Sequence, residues 1–188
     1  MSSAPTPNAS RSNLPAEHLA ARIALVEQHI RLENAHDLPG VLATFGDSAR
    51  YDDEPWDAHY TGRNSVQQFY QQLMKALPDL QIDVQRRHVT SEAILVEVII
   101  RGTHLGAWRG LPATGRRVEF PLCGFYTFDP SPEGPARLAG EKIYYDRATV
   151  LRQLGVFHEP QSLFGRLATL LAHPVTIART LTRNLLRR

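Results

Sequence analysis

The spacing of hydrophobic residues is helical in the first part of the chain. Three segments carry apolar residues three or four positions apart, which is typical of amphipathic helices. The first runs from residue 15 to a break at 36–40, the second is short and covers 39–45, and the third follows a turn at 61–64. The stripes of the first and third helices consist of Leu19, Ile23, Val26 and Ile30, and of Val66, Phe69, Tyr70, Leu73 and Leu77.

After residue 80 the hydrophobic period changes to two, which predicts β-strands. Alternating apolar residues mark strands at 80–84, 94–100, 118–122 and about 140–146. A shorter strand is predicted at 49–51, and residues 106–115 form a long connection rich in Gly and Pro. Helices followed by meandering strands predict an α+β domain in which about three helices cover one curved antiparallel sheet. The open mouth of this cone-shaped domain is the predicted ligand site.

A separate amphipathic pattern follows residue 160. Two apolar stripes are separated by His173-Pro174, because Pro disfavours helix in the residue before it. This segment contains no acid and five arginines: Arg166, Arg179, Arg183, Arg187 and Arg188. The net charge of +2 for the whole chain therefore leaves −3 for the residues before it. The chain divides into three predicted parts: a disordered lead at 1–14, an α+β domain at 15–157 and a basic amphipathic helical tail at 158–188.

The tail has three interpretations. Docking on its own domain or on a partner subunit would gain about 1.5–3 kcal/mol for each large apolar side chain it buries. Ordering its backbone opposes this with about 1–2 kcal/mol per residue. Alternatively, the tail makes a peripheral contact with an anionic membrane surface, or it stays disordered. Nucleic-acid binding is not expected, because the five arginines are not interleaved with aromatic residues.

Composition narrows the chemistry. Cys123 is the only cysteine, so neither an internal disulfide nor a zinc site made of cysteine pairs is expected. The first fifteen residues lack the apolar core of a signal peptide, and no apolar run approaches about 18 residues, so we expect a cytoplasmic protein. The sequence also lacks a Gly-rich phosphate loop, a His-x-x-x-His pair and a Gly-x-Ser-x-Gly motif. We therefore expect no metal and no cofactor, and acid/base chemistry on a small molecule if there is any chemistry.

Three stretches, which together frame residues from about 18 to 156, carry a family resemblance. They are Tyr-Thr-Gly-Arg at 60–63, the Gly-rich stretches at 102–106 and 110–115, and Tyr-Asp-Arg at 145–147 with Leu-Arg-Gln-Leu-Gly at 151–155. In combination they resemble the SnoaL-like family (polyketide cyclase-like and ester cyclase-like proteins) of the nuclear transport factor two superfamily. The resemblance implies the cone fold, a pocket for a small hydrophobic molecule and a homodimer formed through the sheet.

The resemblance does not extend to the catalytic residues of the polyketide cyclases. In the polyketide cyclases the acid/base is an aspartate on the last strand, three residues before the aspartate matched here by Asp146, and this chain has Ile143 there. The cyclases also use a glutamine and a histidine on the preceding strand, where this chain has Leu122 and Gly124. An apolar side chain cannot accept a proton. A slip of one or two residues in the alignment would bring Glu141 or Tyr145 to the place of Ile143, on the same strand face.

An acidic cluster before Pro55 supplies the catalytic candidates. Ketosteroid isomerases of the same superfamily carry their general base some nine residues before the glycine matched by Gly62, which points to Asp53 or Glu54. Enolisation needs a carboxylate whose pKa is raised by apolar surroundings; the alternative is a solvated acidic turn. His104 could donate to a carbonyl oxygen; the alternative is a turn histidine bonded to its own backbone.

The predicted pocket wall combines aromatic, apolar and polar side chains: Trp56, His59, Tyr60, Trp108, Phe120, Leu122, Tyr126, Glu141, Ile143 and Tyr145. Asp146 is predicted to cap the helix that follows the last strand. Two functions stay open. The first is an isomerase-, cyclase- or hydrolase-type enzyme acting on a small hydrophobic carbonyl compound, with Asp53 or Glu54 as base and His104 as polar partner. The second is a non-catalytic carrier of a hydrophobic ligand, which the loss of the cyclase aspartate favours.

Overall fold

Helices precede most of the strands, as the hydrophobic period predicts. The computed structural model describes residues 15–130 and 135–185, and the disordered lead predicted at 1–14 lies outside the described residues. The three helices are α1 (Ala16–Asn34), α2 (Leu38–Thr44) and α3 (Arg63–Ala76). They cover one face of a curved six-stranded sheet that does not close, so the α+β cone-type class is confirmed.

The sheet contains one pairing that the sequence interpretation missed. Its strands, in spatial order, are β2 (Ala58–Thr61), β1 (Phe45–Asp53), β6 (Leu138–Tyr145), β5 (Arg117–Phe128), β4 (Ala93–Thr103) and β3 (Gln81–Val89). All neighbours are antiparallel except β1 and β6, which are parallel. The expectation of a wholly antiparallel sheet was therefore wrong at this pair. A parallel pair needs a long crossover, here everything between β1 and β6, and local periodicity carries no information about it.

The core lies between this sheet and the helices. Alternate residues of β4 are buried, at Ile94, Val96, Val98 and Ile100, as a period of two requires. They share one core cluster with Val26 and Ile30 of α1 and with Val66, Phe69 and Tyr70 of α3. Each large apolar side chain buried here contributes about 1.5–3 kcal/mol to folding. After β6, the predicted cap is present: Asp146 accepts a hydrogen bond from the backbone N–H of Ala148 (2.9 Å) at the start of α4 (Arg147–Gln153).

Asp37 is the N-cap residue of α2, the helix that leads directly into β1. Its carboxylate accepts a hydrogen bond from the backbone N–H of Gly40 (3.0 Å). We expect Asp37→Ala to lower the free energy of unfolding by about 1 kcal/mol, because one of the free helical N–H groups loses its acceptor. Urea unfolding measures this loss. Asp37→Asn is the matched control, since an amide oxygen also caps; equal losses in both variants would contradict the capping role.

The tail consists of two helices, α5 (Leu163–Ala172) and α6 (Pro174–Leu185), with the predicted break at His173. The side chains of Leu163, Phe164 and Leu171 are 83%, 76% and 75% exposed. The domain does not cover this stripe, so the interpretation of docking on the chain's own domain is not what the structure shows. Contact with a partner subunit or a membrane surface stays a prediction. None of the described helices is both long enough and apolar enough to span a membrane.

Candidate active site

A cavity between the sheet and the helices is walled mainly by apolar side chains. It encloses about 90 Å³, and about 10–15 Å³ is enough for one water molecule on this measure, so a small ligand fits. Most of the apolar wall comes from α3, β3, β4, β5, β6 and α4 or from residues next to their ends: Phe69, Leu73, Leu77, Ile82, Val98, Ile100, Val118, Phe120, Leu122, Ile143, Val150 and Leu154. Three carboxyl groups and one imidazole reach the same space: Glu33, Asp53, Glu141 and His104.

The structure brings most of the predicted site residues together at this cavity. Nine of them line it: Asp53, His104, Trp108, Phe120, Leu122, Tyr126, Glu141, Ile143 and Tyr145. Four are not among the lining residues: Glu54, Trp56, His59 and Tyr60. Glu54 pairs with Lys142 (2.9 Å) and His59 with Asp52 (2.8 Å), so both take part in charge pairs away from the cavity wall.

Asp53 is the acid of the predicted cluster that faces the cavity. It lies at the end of β1, two residues after Tyr51 and on the same strand face, and it is 1% exposed. Its Oδ2 accepts a hydrogen bond from Arg109 Nη2 (2.6 Å), whereas its Oδ1 is buried without a hydrogen-bond partner in the described chain. Burial raises the pKa of Asp53, and the ion pair with Arg109 and the nearby hydroxyl of Tyr145 partly offset that rise. A buried carboxylate with one free oxygen is suited to accept a proton from a ligand.

Arg109 was not predicted from the sequence. Trp108 and Leu111 exchange two backbone hydrogen bonds (2.9 and 2.8 Å) around Arg109 and Gly110, whose φ angles are 51° and 80°. Positive φ angles at both central residues make this a tight two-residue turn, and Gly at the second of these positions favours such a turn. The Arg-Gly pair within the long connection was therefore the available signal for the turn, although it gave none for the ion pair with Asp53.

Aromatic rings surround the guanidinium of Arg109. Its Cζ lies 5.0 Å from the ring centre of Trp108 and 5.7 Å from those of Trp56 and Tyr60. Cation–π attraction at these distances stabilises the charge. Trp56 also donates a hydrogen bond from Nε1 to the hydroxyl of Tyr145 (2.7 Å), which lines the cavity. Trp56 and Tyr60 thus position groups of the site without lining it.

His104 presents a hydrogen-bond donor to the cavity. The backbone N–H of Thr114 donates to its Nδ1 (3.3 Å), so this nitrogen is an acceptor and the proton of the neutral ring is on Nε2. Nε2 is buried, and no described residue accepts from it. Burial lowers the pKa of His104, which favours the neutral ring. The ring nitrogen is therefore bonded to the backbone of Thr114, ten residues further on, and not to the backbone of His104 itself, and a free N–H remains on the other side of the ring.

A second polar cluster, made of His29, Glu33 and Glu141, lies beside the cavity. His29 Nε2 is 3.3 Å from Glu141 Oε2 and 3.7 Å from Glu33 Oε1, and Tyr70 donates its hydroxyl proton to Glu141 (2.9 Å). Burial raises the pKa of Glu33 to about 8. The sequence interpretation named only Glu141. The signal it overlooked is that His29 and Glu33 continue the stripe of Val26 and Ile30 at helical spacing.

Sequence comparison gives one family match. The family model described as SnoaL-like polyketide cyclase matches residues 23–154, a span that contains the whole cavity wall. Among curated proteins, none matches this sequence.

Three solved structures illustrate the similarity of fold. AclR from Streptomyces galilaeus, described as a candidate hydroxylase, is 21% identical, with a TM-score of 0.63 over 74% of this chain and 99% of that chain. A candidate SnoaL-like polyketide cyclase from Jannaschia sp. CCS1 is 14% identical, with a TM-score of 0.66 over 76% and 96%. A protein with a ketosteroid isomerase-like fold from Catenulispora acidiphila, in complex with trimethylamine, is 15% identical, with a TM-score of 0.58 over 70% and 92%. Identities this low establish a shared fold only.

Proposed function

Because the chain belongs to the SnoaL-like polyketide cyclase family, we propose that it is an enzyme that removes a proton from carbon next to a carbonyl group in a small, mostly apolar compound. Asp53 is the base, and His104 donates to the carbonyl oxygen. One observation carries the proposal. Asp53 and His104 line the same apolar cavity, and each has one buried polar group, a carboxylate oxygen and an imidazole N–H, without a hydrogen-bond partner in the described chain. Polar atoms left free in such a place point to a ligand that pairs with them.

The strand register supports Asp53 as the replacement for the family's aspartate. The resemblance sets that acid at the position of Ile143 on β6. In the parallel pair of β1 and β6, Asp53 lies directly beside Ile143. Neighbouring strands are about 4.7–4.9 Å apart, so a carboxylate on β1 enters the cavity one strand away from the family's position. The apolar Ile143 then serves as a wall that helps to raise the pKa of this carboxylate.

Three residues have separate roles in the proposed reaction. Asp53 Oδ1 takes the proton, the C–H bond breaks, and its electron pair delocalises onto the carbonyl oxygen as an enolate. His104 Nε2–H stabilises the negative charge that develops on that oxygen. Arg109 holds Oδ2, so that Oδ1 stays directed to the ligand. Return of the proton to another carbon gives isomerisation, whereas attack of the enolate carbon on a second carbonyl gives ring closure; both outcomes fit this site.

A carrier function is the second candidate, and the closed ion pair between Asp53 and Arg109 (2.6 Å) favours it. In a carrier this pair would only fasten the connection at 106–115 over the cavity. The ligand would then be held by the apolar wall around Phe120, Leu122 and Tyr126.

Native mass spectrometry of the untagged protein, isolated from the cells that produce it, tests the proposal. The bound compound is identified, and its conversion by wild type, Asp53→Asn and Glu54→Gln is followed. We expect conversion by wild type and Glu54→Gln, and unchanged compound on Asp53→Asn. A compound that all three proteins bind and none converts would overturn the enzyme in favour of the carrier.

The raised pKa of Asp53 also predicts a pH dependence that needs no substrate. Since the folded state holds the proton of Asp53 more tightly than the unfolded chain does, protonation stabilises the fold. This contribution is complete below the ordinary pKa of aspartate and is lost as the pH rises through the folded pKa. The unfolding free energy of wild type should therefore fall relative to that of Asp53→Asn over this window. An opposite slope in urea unfolding would contradict a raised pKa.

A further inference from the structure

The cluster of His29, Glu33 and Glu141 brings three potential metal ligands together. One donor atom from each residue lies within 4.8 Å of the other two, and the residues are 0%, 3% and 4% exposed. Bonds of about 2.0–2.2 Å from nitrogen and oxygen to an ion such as Zn²⁺ allow ligand atoms to be separated by up to about 4.4 Å. The distances from His29 Nε2 to the two carboxylates, 3.3 and 3.7 Å, fall within that limit.

A second hydrogen bond fixes the ring of His29 in the orientation that a ligand needs. Its Nδ1 lies 2.7 Å from Thr44 Oγ1, and that hydroxyl donates its own proton to the carbonyl oxygen of Val41 (2.6 Å). Thr44 Oγ1 must therefore accept from Nδ1–H, which leaves Nε2 as the nitrogen that faces the two carboxylates and the hydroxyl of Tyr70 (3.1 Å). Metal-binding histidines almost always donate their other ring N–H in this way.

The two buried carboxyl groups of the cluster also favour the binding of a cation. Among the described residues, the only ion-pair partner of Glu33 and of Glu141 is His29. Two buried carboxyl groups thus share one imidazole, and they need either protons or a positive ion. In addition, Glu33 Oε2 is buried and no described residue donates to it. This free oxygen belongs to a side chain that lines the cavity, and it is an observation separate from the grouping of the three residues.

We propose that His29, Glu33 and Glu141 bind one divalent transition-metal ion of the Zn²⁺, Co²⁺ or Mn²⁺ class. One nitrogen and two carboxylates suit these ions better than Mg²⁺ or Ca²⁺, which prefer oxygen ligands alone. Three protein ligands leave a coordination position open, as in catalytic zinc sites. The cavity adjoins the cluster through Glu33 and Glu141, so a water or a ligand oxygen can fill that position. The proposal stands independently of the role given to Asp53.

Calorimetric titration of the untagged full chain, stripped with a chelator, tests this site. We expect Zn²⁺ and Co²⁺ to bind at one ion per chain, Co²⁺ with visible absorption from a site of low coordination number, and Mg²⁺ to bind much more weakly. Glu33→Gln should abolish the site, since an amide of the same shape carries no charge. Thr44→Val, which removes the hydroxyl that supports His29 together with its hydrogen bond to Val41, should lower the affinity by about 10–100-fold.

His59→Ala is the matched control, because Asp52, Glu54 and His59 form the other group of closely spaced ligand atoms in the described chain. This variant should bind Zn²⁺ like wild type. Two results would overturn the proposal: no saturable binding by wild type, which means that protons alone hold the buried cluster, or binding that survives Glu33→Gln and disappears in His59→Ala. Circular dichroism of each variant confirms that a lost site does not reflect a lost fold.

Discussion

Asp53→Asn is expected to lower the turnover of the bound compound by about 10²–10⁴-fold, the usual contribution of a positioned base. The amide has almost the same shape, and its oxygen can still accept the hydrogen bond from Arg109. It cannot take a proton from carbon. Binding depends mainly on the apolar wall, so the dissociation constant should change little. Turnover and binding are measured separately, by single-turnover kinetics and by calorimetry on the same protein.

The neighbouring acid provides the control for this prediction. Glu54 follows Asp53 in the sequence, yet its carboxylate pairs with Lys142 and does not line the cavity. Glu54→Gln should therefore keep wild-type turnover. If Glu54→Gln lost activity and Asp53→Asn kept it, the base would be assigned to the wrong residue. If both variants remained active, proton abstraction by this cluster would be excluded.

The contrast between these two acids shows where the sequence stops being informative. The distance from Gly62 points to Asp53 or Glu54 as the base. Only the path of the backbone shows which of the two faces the cavity. β1 ends at Asp53, and the next residue begins a short 3₁₀ turn, Glu54–Trp56, that leads the chain away from the cavity wall. Side-chain direction at the end of a strand depends on this turn, which has no periodic signature.

Elements with regular hydrophobic periods were predictable, and long-range pairings were not. The alternation of Ile94, Val96, Val98 and Ile100 identifies β4, because each residue of one strand face meets the same core. The strand β2 has only four residues, so its alternation is too short to stand out in the sequence. The ion pair of Arg109 with Asp53 joins residues 56 positions apart. Such partners become neighbours only in the folded chain, and the sequence around either residue does not indicate the other.

The polar cluster beside the cavity was missed for a different reason. His29 and Glu33 occupy core positions of α1, where a histidine and a glutamate break the apolar stripe. Buried charged groups are rare unless they are paired, so two of them at helical spacing mark a place where another element must supply a partner. Glu141 of β6 is that partner. A polar residue within an apolar stripe of a helix therefore indicates a buried partner on another element.

Truncation of Phe69 is expected to cause a large loss of stability. It is 1% exposed, its ring stacks on Tyr51 at 3.9 Å between centres, and it lies 5.1, 5.3 and 5.9 Å from the rings of Tyr60, Tyr70 and Trp108. It therefore joins α3 to both strands at the edge of the sheet and to the connection that carries Arg109. Replacement by Ala removes these contacts and leaves a void, which typically costs about 3–5 kcal/mol.

Urea unfolding of Phe69→Ala measures this loss, and Phe164→Ala is the control. Phe164 of α5 is 76% exposed, and exposed substitutions usually stay within about ±0.5 kcal/mol. Since Phe69 also lines the cavity, the void should add to the ligand space and weaken the hold on Trp108 and, through it, on Arg109. A loss below about 1 kcal/mol would mean that neighbouring rings close the void. In that case the aromatic cluster would be adaptable, and the geometry of Asp53 would not depend on its packing.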